Sequence, residues 1–108
     1  MATREGSPVA KRLKEARTAA GYSQKQLGIA AGIDEFSASA RMNQYETGKH
    51  VPDFVTLKNI GSVLNVPPAY FYCDDDCLAE LIRHYVTLDQ DGQKATLNFV
   101  LSMTNTTD

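Results

Sequence analysis

Ser23 and Gln26 stand in the order S-x-x-Q within "YSQKQLGIAAG", and no other stretch of the chain restricts its local structure so tightly. The spacing is that of a capping box, in which the Ser hydroxyl and the Gln amide each satisfy an N–H that a helix start leaves without a partner. Tyr22 and Leu27 occupy the flanking positions of a hydrophobic staple, which fixes the angle at which the chain joins the helix. The helix that begins here is short, because Gly32 suits the positive φ of a stop. Gly28 inside it costs about 1 kcal/mol relative to Ala. That cost implies close passage of another backbone, where a side chain would clash.

On either side the chain reads as further helices, with almost no strand signal. In "SPVAKRLKEARTAAG" Ser7 is a candidate N-cap and Pro8 suits the first helical position. Val9, Leu13, Ala16 and Ala20 form one apolar stripe, and Gly21 is a natural stop. After the capping-box helix comes "DEFSASARMNQYETGKHVP", rich in Ser, Asn, Gln, Arg and Lys and ended by Gly48. Asp53 caps the next helix, whose stripe is Phe54, Leu57, Ile60, Gly61 and Leu64. Asn65 tolerates the left-handed position that ends it. "VPPAYFY" makes an aromatic turn at the edge of the core. "DDDCLAELIRHYVTLD" begins with three carboxylates at a helix N-terminus, where the dipole favours them. Leu78, Leu81, Ile82, Tyr85 and Val86 are its expected buried face. In "DGQKATLNFVLSM", Leu97, Val100 and Leu101 are expected to point inward. The tail "TNTTD" is expected to fray.

The 108 residues, 43% apolar and 22% charged, suit one ordinary globular core and argue against wholesale disorder. No apolar run reaches the roughly 20 residues of a membrane span, and "MATREGSP" lacks the apolar centre of a signal peptide. With two cysteines and no export signal, reduced thiols and a cytoplasmic location are expected. The net charge of −2 hides a division: residues 1–58 hold nine Lys/Arg against six Asp/Glu, residues 59–108 two against seven. A basic first half and an acidic second half result.

A short helix, a Gly turn and a second helix with an exposed polar face make a helix-turn-helix pattern. In "SASARMNQYE", Ala38, Met42 and Tyr45 form an inner stripe. Ser37, Arg41 and Gln44 share another face, flanked by Ser39 and Asn43. A helix fits the major groove, where Arg41 can fork onto guanine and Gln44 or Asn43 can pair with adenine. The bland alternative is a solvated polar helix.

From Val9 to Phe71 the chain resembles the Cro and phage-repressor type (XRE-like) of DNA-binding domain. The resemblance is carried by "RLKEARTAAGYSQKQLGIAAGI", "QYETGKHVPDFVTLKNIGSVLNV" and the aromatic turn. It implies an all-α fold: a five-helix repressor-like domain over residues 8–72, with one or two added C-terminal helices in residues 73–108. It also implies a transcriptional regulator, most simply a repressor, bound to double-stranded DNA. Arg41, Gln44, Asn43 and Ser39 are the implied base contacts. Gln24 matches the family's phosphate-binding Gln, with Ser23 and Lys25 beside it. Thr47, Lys49 and His50 match the segment that holds the other strand. Arg17 and Glu46 match a buried salt bridge that orients the reading helix; two independent surface charges are the alternative.

One departure concerns Gly32 to Gly48, sixteen positions apart and about four more than the family's usual spacing. Either the second helix gains one turn at its start, which keeps its faces in phase, or "IDEFS" forms a longer turn with Ser37 or Ser39 as N-cap. The longer turn is favoured because Ser and Asp compete with helix by capping. Phe36 then plugs the core or stands exposed near DNA. Ser37, Ser39 and Ala40 depend on this choice, whereas Arg41 to Gln44 keep their register with Gly48.

Cys73, Cys77, Glu80 and His84 raise a metal or redox-sensing alternative, but the C-x-x-C spacing of structural zinc is missing, so no metal and no cofactor are expected. Nor does the chain hold a catalytic frame or a phosphate loop, so an enzyme is not expected. The resemblance implies a homodimer on a palindromic operator, its half-sites one turn (about 34 Å) apart. The helices after Cys73 are the candidate dimer element, or, as in antitoxins of this family, a surface for a protein partner.

Overall fold

The computed structural model describes residues 7–105, and among them there are seven helices and no strand. In chain order these are α1 (Val9–Ala20), α2 (Gln24–Ala30), α3 (Ala38–Thr47), α4 (Phe54–Leu64), α5 (Pro68–Phe71), α6 (Asp76–Tyr85) and α7 (Gln90–Thr104). The architecture is all-α, five helices around one core followed by two more. The readings of residues 1–6 and 106–108 lie outside the described residues. The expected frayed tail is otherwise shorter than read, since Thr104 belongs to α7 and Asn105 caps it.

Local chemistry accounts for most helix ends. Ser23 Oγ accepts from Gln26 N at 3.0 Å while Gln26 Oε1 accepts from Ser23 N at 2.9 Å, so the capping box is complete. Asp53, Asp75 and Asp89 each accept from a backbone N–H three residues on, capping α4, α6 and α7. At α1 the cap differs from expectation by one residue. Pro8 stands half in the helix, its carbonyl accepting from Arg12 N, and Ser7 Oγ reaches only Val9 N at 3.3 Å. The ring holds Pro8 at φ −76° and its ψ is already near zero, which starts the turn at that residue. Asn65 takes the left-handed conformation at φ 59° and ends α4.

The core joins Val9, Leu13 and Ala16 of α1 with Leu27 of α2, Met42 and Tyr45 of α3, and Leu57 and Ile60 of α4. Tyr70 and Phe71 close it, their rings edge to face at 5.5 Å. α2 and α3 pack tightly at Gly28, where an added Cβ would lie 2.8 Å from the Ala38 Cβ. The glycine inside α2 is therefore the condition for that contact.

Several expected core positions lie at the surface. Ala20 is exposed because the last turn of α1 runs past the core beside an open groove lined by Ala19, Ala20 and Leu64. Phe54 is exposed along with Val55, since the first turn of α4 overhangs the core. On α6 the inward residues are Ala79 and Ile82, while Leu78 and Leu81 face outward. The small Ala79 side chain lets α6 approach, and Leu78 sits about 100° round the helix from it. Nothing on α7 is buried: Leu97, Val100 and Leu101, expected inward, are exposed. This helix makes no extensive contact with the five core helices, and the chain extends 56 × 34 × 22 Å.

Candidate nucleic-acid interface

The approach to α3 takes the longer turn. Ser37 is the N-cap by position but makes no side-chain cap bond. Asp34 organises the segment instead, its carboxylate accepting from Phe36 N at 2.9 Å and its carbonyl from Ser37 N at 2.9 Å. This Asx turn leaves Phe36 93% exposed, so the ring is no core plug. Ala38 follows directly and is buried against Gly28. The loop is thus pinned at both ends, by Asp34 before it and Ala38 after.

α3 presents one apolar and one polar side. Ala38, Met42 and Tyr45 point into the core, and Ser39, Arg41 and Asn43 are exposed, with Gln44 half-buried beside them. Arg41 lies back along the helix: its Nη2 donates to the Tyr45 hydroxyl at 3.0 Å and its guanidinium stands 5.9 Å from the Tyr45 ring centre. The bond to Tyr45 raises the Arg41 pKa further, with a smaller contribution from Asp53. Arg41 stays cationic at any physiological pH.

Behind this surface is a four-residue network. Arg17 of α1 donates to Glu46 of α3 twice, Nε to Oε2 at 2.5 Å and Nη2 to Oε1 at 3.0 Å. Its third bond, from Nη1 to the Tyr22 carbonyl at 2.8 Å, ties in the turn between α1 and α2. Gln24, first in α2, donates from Nε2 to Glu46 Oε1 at 3.1 Å and to Asn43 Oδ1 at 3.3 Å. One carboxylate therefore gathers α1, α2 and α3. Asn43 keeps its amide N–H₂ for outside partners, and Gln24 keeps its carbonyl.

At the far end of α3, Gly48 turns left-handed at φ 81° and His50 N returns to the Gln44 carbonyl at 3.2 Å. Thr47, Lys49 and His50 stand exposed on this turn. Lys25 is exposed on α2, and the Ser23 hydroxyl is occupied as the helix cap. The polar residues of α3 thus lie between two flanks, one at the start of α2 and one after Gly48.

The crystal structure of the transcriptional regulator BswR matches this chain with a TM-score of 0.80 and 52% sequence identity, over 86% of this chain and 92% of that one. The chain belongs to the BswR family of transcriptional regulators. A scan against models of protein families finds no match, and neither does a comparison with curated proteins. So large a share of this chain is aligned that the match runs beyond the five core helices.

Elsewhere in this BswR-family chain, the Cys/His group offers little metal-site geometry. Cys73 is buried with its thiol on the Asp75 carbonyl at 3.4 Å, Cys77 is exposed, and His84 pairs with Glu80 at 3.0 Å. No three His, Cys, Asp or Glu among the described residues come together as a metal site. No helix among them is long and apolar enough to cross a membrane.

Sequence reasoning missed Arg12, a charged residue only 2% exposed. It also missed the Asx turn at Asp34 and the Arg41–Tyr45 bond. For the last a signal existed, since an i, i+4 pair lies on one side of a helix.

Proposed function

We propose that the protein is a sequence-specific double-stranded-DNA-binding transcriptional regulator, acting as a repressor, that lays α3 in the major groove. The observation that carries this reading is the Arg17–Glu46–Gln24–Asn43 network. It fixes a helix with exposed donors and acceptors between two flanks suited to phosphate. In this reading Arg41, Gln44, Asn43 and Ser39 face bases. Gln24, once its amide N–H turns from Asn43, holds one phosphate strand with Ser23 and Lys25, and Thr47, Lys49 and His50 hold the other. Arg17 and Glu46 orient the reading helix. The BswR relationship supports regulation of transcription as the setting. The protein acts by binding, in the cytoplasm and without catalysis or cofactor. The XRE-like assignment is favoured by the order of helices and by Gln24 at the start of α2.

Selection of bound sites from random DNA supplies the operator. Arg41→Ala is then expected to weaken specific binding by about 1–3 kcal/mol and to relax preference at one position. Lys49→Ala is expected to weaken all sequences alike and lower the salt slope by about 1. An Arg41→Ala protein with unchanged sequence preference overturns the assignment of α3.

The regulator is proposed to work as a homodimer through residues 73–108, with residues 8–72 as the reading head. Leu78 and Leu81 on α6 and Leu97, Val100 and Leu101 on α7 leave apolar side chains in water, and burying one such side chain gains about 1.5–3 kcal/mol. Two-fold pairing matches a palindromic site with half-sites about 34 Å apart. Leu97→Glu with Leu101→Glu is expected to give a folded monomer by sedimentation and to abolish tight operator binding. A variant that stays dimeric removes this face from the interface. A wild-type protein that is monomeric until a second protein is added favours the antitoxin-like reading instead.

A further inference from the structure

We propose that Arg12 is the positioning residue that fixes the direction in which α6 leaves the reading head, and thereby sets the half-site spacing a dimer accepts. The inference rests on the dimeric DNA-binding reading above. Arg12 lies in α1, 2% exposed. Its Nε donates to the Cys73 carbonyl at 2.7 Å. Its Nη2 donates to the Asp74 carbonyl at 3.0 Å and to Asp76 Oδ1 at 2.9 Å. Nη1 is held by Glu15 Oε1 at 2.9 Å. Apart from Glu15, every acceptor lies between the end of α5 and the first turn of α6. Two are main-chain carbonyls, so side-chain rotation cannot substitute for them. Lys11 adds a second cation on Asp76 Oδ1 at 2.9 Å.

The other packing of α6 on the core is of a different kind. Ala79 and Ile82 make apolar contacts, which are non-directional and tolerate rotation. The planar guanidinium fork is directional. A buried charge is weak evidence of added stability, because an apolar residue of similar volume often serves as well. Geometry is what the fork supplies here. α6 has ten residues and is about 15 Å long at 1.5 Å per residue. A swing of about 10° at its start moves its far end by about 2.6 Å, close to the 3.4 Å rise of one base pair. α7 beyond it amplifies the displacement.

The test uses the full chain and its selected operator, with half-site separations changed by one and two base pairs. Wild type is expected to prefer one separation over its neighbours by about tenfold or more, within the range that a single wrong base pair costs. Arg12→Met should remain dimeric and keep its base preference within each half-site, while its spacing preference falls to about threefold or less. Arg12→Lys should resemble Arg12→Met, since an ammonium cannot span the same acceptors. Asp76→Ala, at an exposed position, leaves the two carbonyl bonds and should give an intermediate width. Dimeric Arg12→Met and Asp76→Ala proteins with the wild-type spacing profile overturn the proposal. If Arg12→Met does not fold, an unchanged profile in Asp76→Ala alone overturns it. A wild type that binds as a monomer, or without spacing preference, overturns the dimer reading itself and this inference with it.

Discussion

Arg17→Met is expected to cost about 3–5 kcal/mol of folding stability, because it leaves a carboxylate buried without its cation. The side chain of Glu46 is 3% exposed and that of Arg17 13%, so water screens this pair little. After the substitution Glu46 retains only the Gln24 amide as a side-chain partner, and the Tyr22 carbonyl loses its donor. Urea unfolding followed by far-ultraviolet circular dichroism measures the loss. The double variant Arg17→Met/Glu46→Met should recover much of it, since replacing both members of a buried pair is often neutral. A loss below about 1 kcal/mol in the single variant would class the pair with surface salt bridges. The pair also bears on binding, because the same carboxylate holds Gln24. The double variant should therefore be stable yet weak on DNA, which separates the two roles.

Gly61→Ala is the second substitution with a large expected effect. A Cβ there would lie 2.5 Å from the Val66 carbonyl oxygen, a main-chain atom. That carbonyl cannot swing away cheaply, because Val66 N is bonded to the Gly61 carbonyl at 3.0 Å across the left-handed Asn65. Helix propensity alone favours Ala over Gly by about 1 kcal/mol, while overpacking of this kind costs about 1–3 kcal/mol. The clash is with backbone, so the upper part of that range applies and the net effect is a loss of about 1–2 kcal/mol. In a core of this size that lowers the melting temperature by several degrees. An unchanged or raised melting temperature would show that the α4 end can open at no cost.

What was legible in the sequence was local. Ser23, Gln26, Asp53, Gly28 and Asn65 act through atoms within a few positions of themselves, or declare a cost that only a close neighbour explains. The apolar stripe of α3 was legible for the same reason. A stripe shows which residues share a side, but not whether the same chain covers it. Leu97, Val100 and Leu101 are regularly spaced and remain in water, and Leu78 and Leu81 yield the inward position to the smaller Ala79. Arg12 gave no signal, because its acceptors are carbonyls about sixty residues away and a carbonyl has no identity in a sequence. The four extra residues before α3 allowed two conformations of equal length. The choice between them rested on the side chain of Asp34, which bonds its own backbone two residues on. At the candidate interface, the positions could be named by resemblance, but the sharing of one carboxylate by Arg17 and Gln24 required coordinates.

That sharing has a consequence for the entropy of association. Gln24 is a long side chain that would sweep many rotamers if free, and fixing such a group on binding costs about 0.5–1.5 kcal/mol. Here Asn43 and Glu46 hold it before any partner arrives, and Tyr45 does the same for Arg41. The disorder that association would otherwise remove has already been given up during folding. The free protein meets its target as a nearly finished template.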